Sequence, residues 1–366
     1  MPIEGRSGIL LAAPDKFRST ATAAQAANAI CAGATLKGWS CIRMPMSDGG
    51  EGFLEAMSAT PYRTSLDSTV FPGSTSLQRQ VCRVSGPLGE PVVAPMLLGD
   101  IGHHRAAVVE SAQAAGLFLV GGPLGNDPLR ASTRGVGQLI YYAIEAGAEE
   151  VVVGVGGTAS TDGGLGAVLA LSCGRPMAKL KRDVKLTVAA DVEISFVEAA
   201  EKFAAQKGAS SHQMKVLQER LERLAKLYRR RFGIEVNDIP GSGAGGGLAG
   251  GLAAIGADIT SGFETVARRV GFHGALSQVD LVVTGEGSLD ERSFDGKLVG
   301  KVIEQAIALG KAVLVVAGDV RLDARQFPRL LSGRVKLVSL VQQFGREHAM
   351  QDTVYCIEQA IREQLT

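Results

Sequence analysis

GILLAAPDKFRSTATAAQAANAICAGATLKGWSCIRMPMSDGGEGF, residues 8–53, carries the reading that decides the fold. Gly8–Ala13 is a short unbroken apolar run of the length of a buried strand. Ser19-Thr20 then introduces the alanine-rich segment Ala21–Leu36, which predicts a helix. Cys41–Met46 repeats the strand pattern, and a helix is expected near Phe53–Ser58. A βαβα succession predicts parallel strands joined by crossover helices, hence an α/β fold.

Downstream, the pattern changes and then returns. Between about 62 and 110 the segments Gln80–Val84, Pro91–Leu97 and Arg105–Glu110 are broken by turn residues and read as antiparallel strands. Helix Thr133–Ala146, strand Val151–Val155, helix Leu165–Leu171 and a strand near Leu186–Ala190 follow. Met214, Leu217, Leu221, Leu224 and Tyr228 place one apolar stripe on a long helix over Ser211–Phe232, whose Arg229-Arg230-Arg231 end reads as a solvated terminus. Helices are expected near Leu248–Ala257 and Gly262–Val270. Strands Leu281–Thr284, Val313–Ala317 and Val335–Leu340 then alternate with helix Val299–Leu309 and a final helix from Thr353. The chain therefore divides into a parallel-sheet domain, 1–61 plus 276–366, and an inserted mixed α/β domain, 62–275.

Composition narrows the function. Thirty-eight Lys+Arg against 37 Asp+Glu leave a net charge of +1, so there is no excess field for nucleic acid or an anionic membrane. No apolar run approaches the roughly 18 residues of a membrane span, and Pro14-Asp15-Lys16 breaks the only early one, so a cytoplasmic protein with a small-molecule partner is expected. Cys31, Cys41, Cys82, Cys173 and Cys356 are widely spaced without a C-x-x-C pair, the pattern of buried thiols in a reducing compartment. Glycine stands out: 47 of 366 residues, about twice the usual share.

Those glycines cluster after predicted strands, among acids, in four loops: Pro14-Asp15-Lys16, Ser47–Gly52, Gly156–Gly164 and Thr284–Asp290. Ligands of open α/β sheets lie beyond the carboxyl ends of the strands. Small residues there let backbone amides approach an anion, and neighbouring carboxylates suit Mg²⁺ or a hydroxyl proton. Phosphoryl transfer follows as the expected chemistry, with Asp48, Asp162 and Asp290 facing one site. Gly154–Ala159 and Gly241–Gly246 match glycine-rich dinucleotide fingerprints, which keeps a dehydrogenase open, although neither has the full context. There is no G-x-x-x-x-G-K-[ST] and no G-x-S-x-G, and the five histidines, His103, His104, His212, His273 and His348, lie outside the clusters.

Ala13-Pro14-Asp15-Lys16-Phe17-Arg18, Ser47-Asp48-Gly49-Gly50-Glu51-Gly52, Gly156–Gly164, Gln206-Lys207-Gly208-Ala209, Pro240–Gly246 and Thr284-Gly285-Glu286-Gly287 through Asp290 resemble, in order, the motifs of the bacterial glycerate kinases of the first class. The resemblance implies a Rossmann-like or flavodoxin-like parallel-sheet domain with an inserted mixed α/β domain, and ATP, Mg²⁺ and D-glycerate meeting in an inter-domain cleft. It implies ATP-dependent phosphorylation of glycerate to 2-phosphoglycerate by an enzyme for which a homodimer is an allowed assembly. Catalytic roles fall on Asp48, Asp162, Lys207 and Asp290, and metal binding on Asp48, Asp162 and Asp290. Substrate and phosphate contacts fall on Asp15, Lys16, Arg18, Gly49, Gly50, Glu51, Gly156, Gly157, Thr158, Asp191, Ser242, Gly243, Gly285, Glu286, Gly287 and Lys297.

The chain departs from the family pattern where Asp191–Phe196 replaces D-V-T-N-P-L and where the stretch from Cys173 to Lys185 is short. Ser288 stands for an arginine, one fewer fork for a carboxylate or phosphate. A kinase of another small hydroxy acid, and a non-catalytic or regulatory ligand-binding protein on the same fold, are the alternatives.

Overall fold

The computed structural model describes residues 8–62, 76–101, 104–172, 184–294, 296–323, 327, 330 and 333–365. His103, Cys173 and most of the shortened stretch before Lys185 lie outside them. Two compact units emerge, one formed by Met1–Asp48, Glu55–Val70 and Phe263–Thr366, the other by Gly49–Leu54 and Phe71–Gly262.

The eleven strands among the described residues are, in chain order, β1 (Ile9–Ala12), β2 (Ser40–Arg43), β3 (Gln78–Ser85), β4 (Pro91–Ile101), β5 (His104–Glu110), β6 (Glu150–Gly154), β7 (Lys185–Ala189), β8 (Asp258–Thr260), β9 (Leu281–Leu289), β10 (Ala312–Val320) and β11 (Val335–Ser339). The first unit holds a five-stranded, wholly parallel sheet in the order β11-β10-β9-β1-β2. Leu10, Leu11 and Ala12 of β1 are fully buried, as a central strand covered on both faces requires. Helix Ala23–Thr35 starts two residues later than the alanine-rich run Ala21–Leu36 suggests, because Thr22 and Gln25 form a capping box: Gln25 N donates to Thr22 Oγ1 at 3.2 Å and Thr22 N to Gln25 Oε1 at 2.8 Å. Gly33 lets this helix close on the carboxyl-terminal helix Thr353–Gln364, since an added Cβ would stand 2.7 Å from Glu358 O.

Two expectations are corrected in this unit. Cys31 and Cys41 form a disulfide with a Cα–Cα distance of 5.4 Å, so the expected reduced thiols do not hold for this pair. The helix runs back along β2 and brings residues ten apart in sequence face to face, a proximity that linear spacing does not display. The strand expected to end at Thr284 also continues to Leu289, pairing Gly285 with Val316 and Ser288 with Asp319. Glycine makes that continuation fit: a Cβ on Gly285 would collide with Val316 O.

The second unit holds a six-stranded sheet in the order β3-β4-β5-β6-β7-β8. The β3-β4 and β4-β5 pairs are antiparallel, as the sequence suggested, and the remaining pairs are parallel. Helix Ser211–Phe232 buries Leu217, Leu221, Leu224 and Tyr228, the predicted stripe, and ends at left-handed Gly233 with Arg229 3.4 Å from Glu235. Helices Arg134–Glu145 and Leu165–Ser172 pack so closely that a Cβ on Gly137 would lie 2.6 Å from Ala167 Cα. Gly→Ala in an open helix stabilises by about 1 kcal/mol. At Gly137 the sign should invert: Gly137→Ala is expected to lower the urea midpoint by an amount equivalent to about 1–3 kcal/mol, the usual cost of overpacking. An unchanged or raised midpoint would refute this packing.

Candidate functional site

In the parallel-sheet unit the segments leaving β1 and β9 lie side by side. Asp15 N donates to Gly285 O at 2.9 Å, and Thr284 Oγ1 donates to Ala13 O at 2.9 Å. Since β1 leads to β2 on one side and β9 leads to β10 on the other, this is the point at which strand order reverses and open α/β sheets take ligands. A Cβ on Gly287 would come 3.0 Å from Arg18 N, so glycine brings Arg18 close. Ser19, next in sequence, carries left-handed backbone (φ 67°), which favours asparagine or glycine over serine.

Burial raises the Asp15 carboxyl to about 6, with the Asp48 charge adding and Lys16 and Arg18 opposing. Burial likewise raises Glu286 to about 7, reinforced by Asp15 and Asp290 and opposed by the Ser293 hydroxyl and Lys297. Ser293 Oγ also accepts from Asp290 N at 3.1 Å, which ties the end of this segment together. Lys297 stands as N-cap of helix Leu298–Ala308, following Gly296 at φ 73°. Asp15, Lys16, Arg18, Asp48, Glu286, Asp290 and Lys297 thus belong to one electrostatically connected group.

Glu286 Oε1 is buried with no hydrogen-bond partner. An orphaned carboxylate oxygen beside a second acid fits Mg²⁺, which uses one or two carboxylates and completes its shell with water and phosphate. Among the described residues, however, no group of three His, Cys, Asp or Glu side chains forms a metal cage.

The mixed-sheet unit contains a second cluster at the ends of β6 and β7. Gly49-Gly50-Glu51 lies against Gly156-Gly157: a Cβ on Gly156 would be 2.6 Å from Gly50 Cα, and one on Gly157 2.9 Å from Glu51 Oε1. Buried Glu110 accepts from Leu54 N at 3.0 Å, and Ser111 Oγ both donates to Gly156 O and accepts from Gly156 N at 3.2 Å. These residues, at the end of β5, carry no glycine signal and were not singled out by the sequence.

Lys207 is 5% exposed and closes a short turn before Ser210 caps the long helix. Its ammonium donates to Ser160 O at 2.5 Å and Thr158 Oγ1 at 3.2 Å. Burial lowers its pKa to about 8, while the Asp162 charge acts in the opposite sense. It is therefore no solvated lysine. Ser160 Oγ, Thr161 Oγ1 and Ser242 Oγ are buried without partners.

Asp162 also has a structural purpose. Its Oδ2 accepts from Thr133 N (2.8 Å), Thr133 Oγ1 (2.9 Å), Gly166 N (3.2 Å) and Ser132 Oγ (3.4 Å), and its Oδ1 accepts from Gly164 N (3.1 Å). The carboxylate thus anchors the starts of helices Arg134–Glu145 and Leu165–Ser172, where negative charge is favoured. With Oδ2 so occupied, a metal or proton could be taken only at Oδ1. Tyr228 braces the same loop by donating to Gly163 O at 3.0 Å.

Asp191 Oδ1 accepts from Ser261 Oγ at 2.8 Å and Gly262 N at 3.1 Å. Gly243 packs on the 194–195 backbone, with its N donating to Ile194 O at 3.1 Å.

The profile of the Glycerate kinase family matches residues 10–176 and 174–365. The glycerate kinase of Halalkalibacterium halodurans is 36% identical over 318 residues, 79% of each chain, and the glycerate 2-kinase of Escherichia coli K12 is 33% identical over 319 residues, again 79% of each. The crystal structure of a protein designated glycerate kinase 2 from Salmonella typhimurium LT2 superposes with a TM-score of 0.71 at 28% identity, covering 98% of this chain and 97% of that one. With its α/β architecture and nearly its whole length matched, this chain belongs to the glycerate kinase family.

Proposed function

We propose that this protein is an ATP- and Mg²⁺-dependent kinase that transfers the γ-phosphoryl group to D-glycerate, giving 2-phosphoglycerate. The observation that carries the reading is the buried ammonium of Lys207, held by Ser160 O and Thr158 Oγ1 in a chain of the glycerate kinase family. A desolvated cation with neutral oxygen neighbours offers an incoming anion a strong field and needs no reorganisation when charge moves. In this reading Lys207 contacts the transferring phosphoryl group or the glycerate carboxylate. Asp162 holds the loop that carries Thr158 and Ser160 and supplies the balancing negative charge.

The glycerate hydroxyl oxygen forms the new bond to the γ-phosphorus as the bond from phosphorus to the β–γ bridging oxygen breaks, and ADP leaves. The hydroxyl proton passes to a carboxylate of the first cluster, a role we give to Asp48. Lys16, Arg18 and Lys297 supply positive charge for phosphates, and the helix start after Lys297 adds its backbone amides. Glu286 and Asp290 would hold Mg²⁺, which when bound neutralises charge on the phosphates. No helix among the described residues is long and apolar enough to cross a membrane, and we place the enzyme in the cytoplasm, where ATP is available.

A coupled ADP-release assay with D-glycerate, with ³¹P NMR of the product, tests the reaction. Turnover to 2-phosphoglycerate is expected. Thermal stabilisation by glycerate or ATP without turnover would instead support the ligand-binding alternative. Lys207→Ala should lower kcat/KM by about two orders of magnitude or more, about 2.7 kcal/mol of transition-state stabilisation, with the fold retained. Near-normal turnover would remove Lys207 from the site.

The depressed pKa also makes a stability prediction. Between about 8 and the ordinary lysine value of 10.5 the unfolded lysine holds a proton that the folded one has released, so unfolding takes up protons and stability due to this residue rises with pH. Its contribution is complete above 10.5 and is lost as pH falls through about 8. Lys207→Met should therefore gain stability relative to the parent below pH 8, and the gain should shrink as pH rises. A difference in urea midpoints that does not change with pH would contradict a desolvated ammonium.

A further inference from the structure

Asn126 belongs to none of the motifs discussed above, yet its side-chain amide lies between two segments of the mixed-sheet unit. Nδ2 donates to Lys207 O at 2.8 Å and to Ala159 O at 3.1 Å. Two carbonyl acceptors fix which end of the amide is nitrogen. Ala159 stands between Thr158 and Ser160, whose oxygens receive the Lys207 ammonium. One amide therefore ties the backbone at the root of the lysine to the backbone that its tip reaches, closing a ring from Lys207 O through Asn126 to Ala159 O and back through Ser160 O to Nζ.

A second contact presses the same two segments together. Gly208 has left-handed backbone (φ 91°), and a Cβ there would collide with Pro123 O, so the chain from Pro123 to Asn126 is seated directly on the Lys207-Gly208 turn. Lys207 has four rotatable side-chain bonds, and holding both ends of such a chain removes most of its freedom before any substrate binds. Without the amide, Lys207 O and Ala159 O would lose their shared donor in a half-buried place.

We infer that Asn126 is a positioning residue that sets the Lys207 ammonium for phosphoryl transfer. The inference rests on the reading that Lys207 acts in the reaction. Its remaining carbonyl oxygen, Oδ1, is buried without a protein partner, which gives the amide no competing anchor that would hold it elsewhere. The residue acts through the lysine, so its removal should change the rate of the chemical step more than the binding of either substrate.

The test is a double-mutant cycle on the full-length protein, with Asn126→Asp and Lys207→Ala made singly and together and assayed by ADP release with D-glycerate. Asn126→Asp keeps the shape but turns an oxygen toward two carbonyl oxygens. It should lower kcat about tenfold or more while the KM values for ATP and D-glycerate change by less than about threefold. In the Lys207→Ala background the same change should cost almost nothing further, because there is no ammonium left to set. Asn126→Ser, which can still donate one hydrogen bond, should fall between parent and Asn126→Asp, and serves the same cycle should the aspartate variant not fold.

Equal fold-losses in both backgrounds, or a loss that tracks thermal destabilisation alone, would overturn the role of Asn126 while leaving Lys207 in place. Near-normal turnover of Asn126→Asp would overturn it as well. Full activity of Lys207→Ala would overturn both readings, and that single variant separates the two failures.

Discussion

A buried ammonium cannot be left without acceptors, and much of the mixed-sheet unit is arranged around that constraint at Lys207. The acceptors come from the loop after β6, at Thr158 and Ser160, so that loop must hold one shape. Asp162 fixes it from one side by capping two helices, and Tyr228, reaching from the long helix, fixes it from another. The negative charge of Asp162 offsets part of the cost of burying the lysine. The same carboxylate thus settles helix starts and local electrostatics together, which explains why an acid is placed in a region otherwise built of glycine and small hydroxyl residues.

Glycine excess has its physical origin in backbone proximity. Gly49 has a left-handed backbone and faces Ala189 O, while Gly50 and Gly156 meet almost Cα to Cα. In the parallel-sheet unit, Gly285 and Gly287 allow β9 to continue past Thr284 beside β10 and beside the Phe17-Arg18 backbone. These approaches place charged side chains close together: Asp15 and Glu286 are both raised by burial, and the Asp15 charge raises Glu286 further. A pair of carboxyl groups that resist ionisation is the electrostatic condition a cation or proton would relieve.

The recurrence of apolar runs and helical stripes made the architecture legible. Leu217, Leu221, Leu224 and Tyr228 lie on the buried face because 3.6 residues make a turn whatever the rest of the chain does. Asp15, Asp48, Glu286 and Lys207 were legible through acids and lysines set among glycines in family-like motifs. Asn126, Glu110 and Ser111 were not, because an amide or a carboxylate after a strand has no pattern until its partner is known. The Cys31–Cys41 bond was misread for the same reason.

The sequence by itself determined the α/β class, the two kinds of sheet, the family, and the segments in which charged residues gather. These depend on local periodicity and on short motifs, each read within a few residues. Only the tertiary structure decided that Asp162 spends Oδ2 on helix caps, that Thr284–Leu289 is strand, and that Lys207 is enclosed with both ends held. Those outcomes depend on which carbonyl or amide lies within about 3 Å in space, and chain folding brings together residues such as Asn126 and Lys207 whose separation in sequence carries no signal.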